Sequence, residues 1–322
     1  MKSVCYAKAV AVGCLAVFHL ACHRQPEPMP QPPLPWVTPA IVAPRLQHLT
    51  FESAAARTRV SFHLYTPELY DTAPAQRFPV LYWLHGSGGG LAGVRPLTAY
   101  FDSAIRAGKV PPLLVVFPNG MASSMWCDSQ DGRVPMETVL VKELVPHIDS
   151  TFRTIAAREG RLLEGFSMGG YGAARLGFKY HALFGTVSIL AGGPLDLSFK
   201  GPRATANPGE RARILQTVYG NDLACFQAQS PWRLAEQHAA AVRDRTRVRL
   251  VVGDRDNTLA LNRDFAAQLT QLKIPHTFTV LPGVDHNTMA VLAALGTANW
   301  DFYRTSFGAR AAAAQQPDVQ GE

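Results

Sequence analysis

Residues 161–174 read RLLEGFSMGGYGAA. An apolar run leads into Gly165-x-Ser167-x-Gly169, and a run of small residues follows it. This order indicates a strand, a tight turn and a helix, as in a nucleophile elbow. Such a turn holds its serine in a strained backbone conformation at the end of a strand, where a base can reach the hydroxyl. The stretch therefore predicts an α/β fold in which Ser167 is the candidate nucleophile.

The sequence around this stretch alternates strand and helix patterns. Apolar residues alternate at 46–51 and 58–65, which predicts an antiparallel pair of strands. Further strands are predicted at 78–84, 113–117, 184–190, 248–252 and 276–281, and helices at 97–107, 137–150, 259–272 and from 287 onward. Residues 196–235 interrupt this rhythm and predict an insertion or cap of short helices. Strands that alternate with helices imply a mostly parallel sheet covered on both faces, with active residues at the carboxyl ends of its strands.

The first 22 residues have the pattern of an export signal. Lys2 and Lys8 are followed by an apolar run that is too short to span a bilayer. Cys22 follows this run as in a lipoprotein signal, although His19 stands three positions earlier, where Leu is favoured. We therefore expect a periplasmic or extracellular protein, with a lipid anchor on Cys22 and simple cleavage as open alternatives. The mature domain contains no predicted transmembrane span.

Composition predicts the other domain boundaries. Residues 23–45 are rich in proline, which favours an extended linker. A catalytic domain is predicted at 46–308, and the Ala/Gln-rich residues 309–322 are predicted to be a disordered tail. Two of the five cysteines, Cys127 and Cys225, fall in the domain, and both a disulfide and two free thiols remain open.

The formal net charge is +7, and one basic run is local. Arginines at 243, 245, 247 and 249 alternate with other residues into an apolar strand. This spacing favours a solvated strand edge over a nucleic-acid surface. We therefore expect no nucleic-acid partner.

Two later strand ends carry partners for Ser167. Asp256 follows the strand at 248–252, and His286 follows the strand at 276–281. Serine, acid and histidine in this order are typical of the α/β-hydrolase triad, in which the histidine is the base and the acid orients it. Asp254 is the alternative acid, and either aspartate could instead cap the helix near 259. Asp256 is favoured because the acid usually lies a few residues beyond its strand.

The glycine-rich loop at 85–89 is predicted to help stabilise an oxyanion. One N–H donor is expected from Met168, just after the nucleophile, and the other from Ser87, with Gly86 or Gly88 as alternatives. The loop at 125–128 follows a strand end, so Trp126 is a candidate substrate-binding residue; packing of the loop itself is the alternative. Glu164 is predicted to accept a hydrogen bond from a neighbouring loop rather than to act in catalysis.

These motifs resemble the putative esterase family of α/β-hydrolases, which includes esterase D, feruloyl and acetyl xylan esterases and the antigen 85 mycolyltransferases. The Gly-x-Ser-Met-Gly-Gly run at 165–170 is specific at the level of that family. Further similar segments lie at 84–89, 117–120, 230–232, 253–256 and 283–287, so the resemblance covers about residues 46–307. It implies a triad of Ser167, Asp256 and His286, and oxyanion donors at Ser87 and Met168, without a metal or cofactor.

The predicted function is that of an exported serine carboxylesterase, which cleaves a small-molecule or carbohydrate ester through a Ser167 acyl-enzyme. One alternative is an acyltransferase that moves the acyl group to a sugar acceptor. A second alternative is a non-catalytic binding protein that retains the hydrolase fold.

Overall fold

The computed structural model describes residues 34–192 and 208–311 of the 322-residue chain. The predicted export signal with Cys22, the linker up to residue 33 and the tail from residue 312 lie outside the described residues. The described part contains no helix that is long and apolar enough to cross a membrane. Cys127 and Cys225 are both free thiols.

The described residues form one eight-stranded sheet in the order β1-β2-β4-β3-β5-β6-β7-β8. The strands β1 and β2 pair antiparallel, as the alternating pattern predicted, and β2 is also antiparallel to β4. All other neighbours in the sheet are parallel. The strands are β1 Leu46–Ser53, β2 Thr58–Tyr65, β3 Val80–Leu84, β4 Leu114–Pro118, β5 Arg161–Phe166, β6 Thr186–Leu190, β7 Arg247–Gly253 and β8 His276–Leu281.

Helices cover both faces of this sheet, so the α/β prediction is confirmed. Successive residues of a strand point to opposite faces. In β6, Val187 contacts Gly177 of helix α5, whereas Ser188 lies on the face covered by α10. The α-helices are α1 Leu69–Thr72, α2 Leu91–Arg106, α3 Met136–Thr138, α4 Val145–Thr151, α5 Met168–Lys179, α6 Pro208–Tyr219, α7 Leu223–Gln229, α8 Pro231–Arg243, α9 Leu259–Gln271 and α10 Thr288–Ala311.

The helix predicted at 137–150 contains a wider turn. A π-helix at Val139–Leu144 joins α3 to α4. Pro146 lies just after it and has no N–H to close an α-helical bond to Lys142. The wider π-helical turn accommodates the missing hydrogen bond, so the helix continues through Pro146.

The predicted linker ends too late at residue 45, because residues from Pro35 onward belong to the compact unit. Trp36 is buried, and the Asn119 side-chain amide donates to the carbonyl oxygens of Pro35 and Trp36 at 2.8 and 3.0 Å. The Ile41 N–H donates to Nε2 of His63 over 3.0 Å. This segment therefore packs along the antiparallel end of the sheet. At the other end of the domain, α10 continues three residues into the predicted tail, to Ala311.

The prediction that the basic run forms a solvated strand edge is wrong for Arg249, which forms a buried ion pair. Arg249 donates to Oε1 of Glu164 over 2.6 Å, and both side chains are at most 5% exposed. The Ser188 hydroxyl donates to the same oxygen, and the Tyr303 hydroxyl donates to Oε2, each over 2.7 Å. Arg249 is buried because β7 is an interior strand and position 249 faces α10; Arg245 is exposed, as predicted. The partners of Glu164 come from two strands and a helix, not from a neighbouring loop.

A second buried ion pair joins α3 to α5. Oε2 of Glu137 lies 2.6 Å from Nη1 of the fully buried Arg175. Lys179 also donates to this carboxylate, over 2.6 Å. Burial by itself raises the pKa of Glu137, but Arg175 and the other donors outweigh it and hold the pKa at about 2.

We expect Glu137→Gln to change how stability depends on pH. A lowered carboxylate pKa contributes stability above the ordinary pKa of 4.5, and that stability is lost as the pH falls towards 2. Between pH 6 and pH 3, the free energy of unfolding of the wild type should therefore fall by about 2 kcal/mol more than that of the variant. Urea unfolding at both pH values measures this difference. Glu52→Gln, which removes an exposed carboxylate on β1, is the control. A difference in unfolding free energy between the wild type and Glu137→Gln that does not change with pH would contradict the lowered pKa of Glu137.

Candidate active site

The elbow places Ser167 between β5 and α5 with φ 58° and ψ −120°. A Cβ on Gly165 would lie 2.3 Å from the carbonyl oxygen of Gly169, and one on Gly169 would lie 1.9 Å from that of Leu84. No side chain fits at either position, because such contacts are far inside van der Waals distance. The two glycines therefore allow the strand and helix to approach closely enough for the turn.

Ser167, His286 and Asp256 form one chain of hydrogen bonds. Nε2 of His286 lies 2.9 Å from Oγ of Ser167, and Nδ1 lies 2.8 Å from Oδ2 of Asp256. Since an ionised carboxylate only accepts, Nδ1 donates to it and Nε2 is left to accept the serine proton. The Phe166 ring packs against the imidazole at 4.7 Å between centroids. The imidazole is thus held in the tautomer that a general base requires.

The Asp256 carboxylate is buried and kept charged. Its Oδ1 accepts hydrogen bonds from the N–H and the hydroxyl of Thr258, each over 2.7 Å. Burial raises the pKa of Asp256, but the donors from His286 and Thr258 outweigh it and lower the pKa below its ordinary value. Asp256 therefore both caps the turn before α9 and holds His286.

The alternative acid, Asp254, faces a different group. Its Oδ1 accepts the N–H of Gly283 over 2.7 Å. This contact joins the loop after β7 to the loop after β8, which carries His286. Asp254 thus braces the loop, whereas Asp256 contacts the imidazole.

The glycine-rich loop runs beside Ser167. A Cβ on Gly86 would lie 3.3 Å from Cβ of Ser167. His85 anchors the loop: its buried Nδ1 lies 2.7 Å from the Gly86 carbonyl oxygen, and its Nε2 accepts the N–H of Gly120 over 2.9 Å. Burial lowers the pKa of His85, so it serves as a neutral structural residue. Ser87 is exposed on this loop, and Met168 begins α5 directly after Ser167.

Trp126 does not line the site, so its predicted contact with substrate is wrong. The side chain is fully buried, and its Nε1 donates to the carbonyl oxygen of His85 over 3.2 Å. Added Cβ atoms on Gly120 and Gly172 would lie 2.3 and 2.5 Å from the indole. Trp126 therefore fills the space between the anchor of the glycine-rich loop and helix α5, which was the alternative interpretation.

A cleft of about 400 Å³ opens beside Ser167, which is within the usual range for small-ligand sites. Its side walls include residues that the sequence motifs did not predict. Thr288 and Met289 follow His286 after one intervening residue, and Trp83 lies two residues before the glycine-rich loop, so closeness in sequence to the motifs was the available signal. The cleft is lined by Trp83, His85, Gly86, Ser87, Gly90, Gly93, Leu97, Phe166, Ser167, His286, Thr288 and Met289.

Sequence comparisons identify relatives of this chain. It is 30% identical over 268 residues to the esterase Rv1288 of Mycobacterium tuberculosis, an alignment that covers 74% of this chain and 55% of that protein. It is also 30% identical over 177 residues to an endo-1,4-beta-xylanase/feruloyl esterase of Xylanibacter ruminicola, covering 49% of this chain and 23% of that protein. The chain spans about half the length of the mycobacterial relative.

Solved structures show the same fold. A ferulic acid esterase superposes with a TM-score of 0.66 at 21% identity and covers 81% of this chain and 98% of its own. An S-formylglutathione hydrolase from Agrobacterium tumefaciens superposes with a TM-score of 0.65 at 20% identity, covering 82% and 95%. The family model described as putative esterase matches residues 53–313. The match covers most of the chain and includes the elbow and both later loops, so the chain belongs to the putative esterase family of α/β-hydrolases, as its motifs predicted.

Proposed function

We propose that the chain hydrolyses a carboxylic ester through an acyl-enzyme on Ser167, with His286 as the base and Asp256 as the orienting acid. The observation that carries this proposal is the hydrogen-bonded chain from Ser167 Oγ through His286 to Asp256, at 2.9 and 2.8 Å. Family membership supports the reaction class, and the elbow conformation of Ser167 supports its role as nucleophile.

The proposed reaction has two steps of the same kind. Oγ of Ser167 attacks the ester carbonyl carbon while its proton passes to Nε2 of His286. The N–H groups of Ser87 and Met168 are the proposed donors to the oxyanion. The leaving alcohol takes the proton from Nε2, which leaves the acyl group on Ser167. Water, deprotonated by the same nitrogen, then releases the acid and restores the serine.

The proposed substrate is a small-molecule or carbohydrate ester. The names of the similar proteins include an esterase, a feruloyl esterase and an S-formylglutathione hydrolase, all of which cleave an acyl group from oxygen or sulfur. The cleft beside Ser167 has room for one substituent of such an ester. Transfer of the acyl group to a sugar acceptor uses the same first step and differs only in what attacks the acyl-enzyme.

Export belongs to the same proposal. The signal pattern at 1–22 supports a periplasmic or extracellular enzyme, and Cys22 is the proposed site of a lipid anchor if the signal is of the lipoprotein type. An extracellular site of action suits a carbohydrate ester better than a cytosolic thioester.

The test uses the full chain with two independent readouts. We expect it to release p-nitrophenol from p-nitrophenyl acetate, and a fluorophosphonate probe to label the peptide that contains Ser167, as read by mass spectrometry. Heat-denatured protein should show neither effect. Repeating the assay with a sugar alcohol separates hydrolysis from transfer, because transfer yields an acylated sugar. Absence of both turnover and labelling would favour the binding-protein alternative.

A further inference from the structure

One wall of the cleft is formed by the first turns of α2, and it is apolar. Gly93 and Leu97 lie four residues apart on this helix, so they share one face, and both line the cleft. Phe166 and Met289 are further apolar lining residues. The cleft therefore offers hydrocarbon surface directly beside the reacting serine.

Of the glycines that line the cleft, Gly93 is the one for which the described residues give no structural reason. A Cβ on Gly90 would lie 2.3 Å from the His85 side chain, and one on Gly86 would press on Ser167 at 3.3 Å. Among the described residues, a Cβ on Gly93 would meet only Cδ1 of Leu97 at 3.6 Å, which is ordinary van der Waals contact. The φ angle of Gly93 lies outside the positive region. A larger residue would thus fit the backbone here without strain.

Glycine inside a helix is unfavourable relative to alanine, because it loses more backbone freedom on folding. Gly93 bears this cost although neither backbone strain nor close packing against the described part of the chain requires a glycine here. What it provides is space: among the described residues, a Cβ here would meet nothing nearer than Leu97, which lines the same cleft. The absent side chain therefore adds to the volume open to a ligand.

We propose that Gly93 sets the size of the apolar group that the cleft accepts, so that a hydrocarbon substituent of the ester lies over Gly93 between Leu97 and Met289. This inference rests on the proposed esterase function and adds to it a substrate class, esters with a bulky apolar substituent. The cleft volume of about 400 Å³ far exceeds the roughly 30 Å³ that one water molecule occupies in the liquid. A group much larger than a methyl therefore has room. Met289 provides an adaptable wall.

The test is a chain-length series on the full-length protein. One arm uses p-nitrophenyl esters from acetate to octanoate, and the other uses alkyl acetates from methyl to octyl. In the wild type, each methylene that enters the cleft should raise kcat/KM by about fourfold until the cleft is full. Gly93→Leu should lower the ratio of long-chain to short-chain kcat/KM by at least about tenfold in one arm. The arm that responds shows whether the acyl or the alcohol half lies over Gly93.

Two further variants make the result specific. Ala92→Leu adds the same side chain one residue earlier, at an exposed position outside the cleft, and should leave both series as in the wild type. Gly93→Ala should shift the ratio in the same direction by less, and it remains informative if the leucine variant does not fold, as checked by circular dichroism.

The outcomes separate this inference from the function on which it rests. The inference alone would be overturned if the wild type hydrolyses the esters but Gly93→Leu lowers kcat/KM by the same factor at all chain lengths in both arms. It would also be overturned if kcat/KM of Gly93→Leu depended on ester chain length in the same way as kcat/KM of the wild type. A wild type that turns over none of the esters would overturn both the inference and the proposed function.

Discussion

We expect Ser167→Ala to lower kcat/KM for p-nitrophenyl acetate by about 10⁴–10⁶-fold. The alanine removes the oxygen that lies 2.9 Å from His286, so no acyl-enzyme can form. Alanine also fits the elbow as well as serine does, because the strained φ of 58° concerns the backbone and both residues carry a Cβ. The loss should therefore be chemical, with an unchanged melting temperature and no labelling by the fluorophosphonate.

Ser150→Ala is the matched control for this change. Ser150 is exposed on α4, and its hydroxyl donates to the carbonyl oxygen of His147, within the same helix. Its variant should keep wild-type kcat/KM. A Ser167→Ala enzyme that retained a tenth or so of the activity would place the nucleophile elsewhere.

The second large effect is expected from Asp256→Asn, with a loss of about 10⁴-fold in kcat. An asparagine can turn its NH₂ group towards Nδ1 of His286, which then accepts rather than donates. The remaining ring proton moves to Nε2 and faces the Ser167 hydroxyl, so the base cannot take the serine proton. The two hydrogen bonds from Thr258 preserve the local turn, because the other side-chain oxygen still accepts them.

Asp254→Asn provides the comparison that decides between the two candidate acids. Its oxygen accepts one N–H, that of Gly283, and the asparagine oxygen can accept the same bond. We expect kcat to fall by less than about tenfold. The kcat of each variant on p-nitrophenyl acetate measures both effects. A larger loss for Asp254→Asn than for Asp256→Asn would reverse the assignment.

The parts of the site that the sequence predicted are those encoded locally. The elbow is a short-range pattern, because a sharp turn between a strand and a helix needs glycines at fixed offsets from Ser167. The strand ends before Asp256 and His286 are also local, and parallel strands bring their carboxyl ends to one edge of the sheet. Topology therefore brings together the strand ends that carry Ser167, Asp256 and His286.

The errors concern residues whose surroundings come from distant parts of the chain. Tryptophan is a common residue type in ligand pockets, but Trp126 fills a space that glycines on α5 and after β4 leave in the interior. Arg249 belongs to a basic run, yet its neighbours across the sheet include Glu164 and a ring of α10 at 3.5 Å. Proline content indicates extended backbone at residues 35–45, but it does not indicate whether that backbone packs on a sheet.

Sequence patterns predicted the α/β class, the family, the elbow and the order of the three candidate catalytic residues, because each is indicated by backbone preferences and short motifs. Only the folded arrangement shows that Asp256 rather than Asp254 contacts His286, that Glu164 and Arg249 pair in the core, and that Gly93 lines the cleft. These depend on the direction in which a side chain leaves its element and on what lies opposite. That information resides in contacts between segments many residues apart, which no local pattern records.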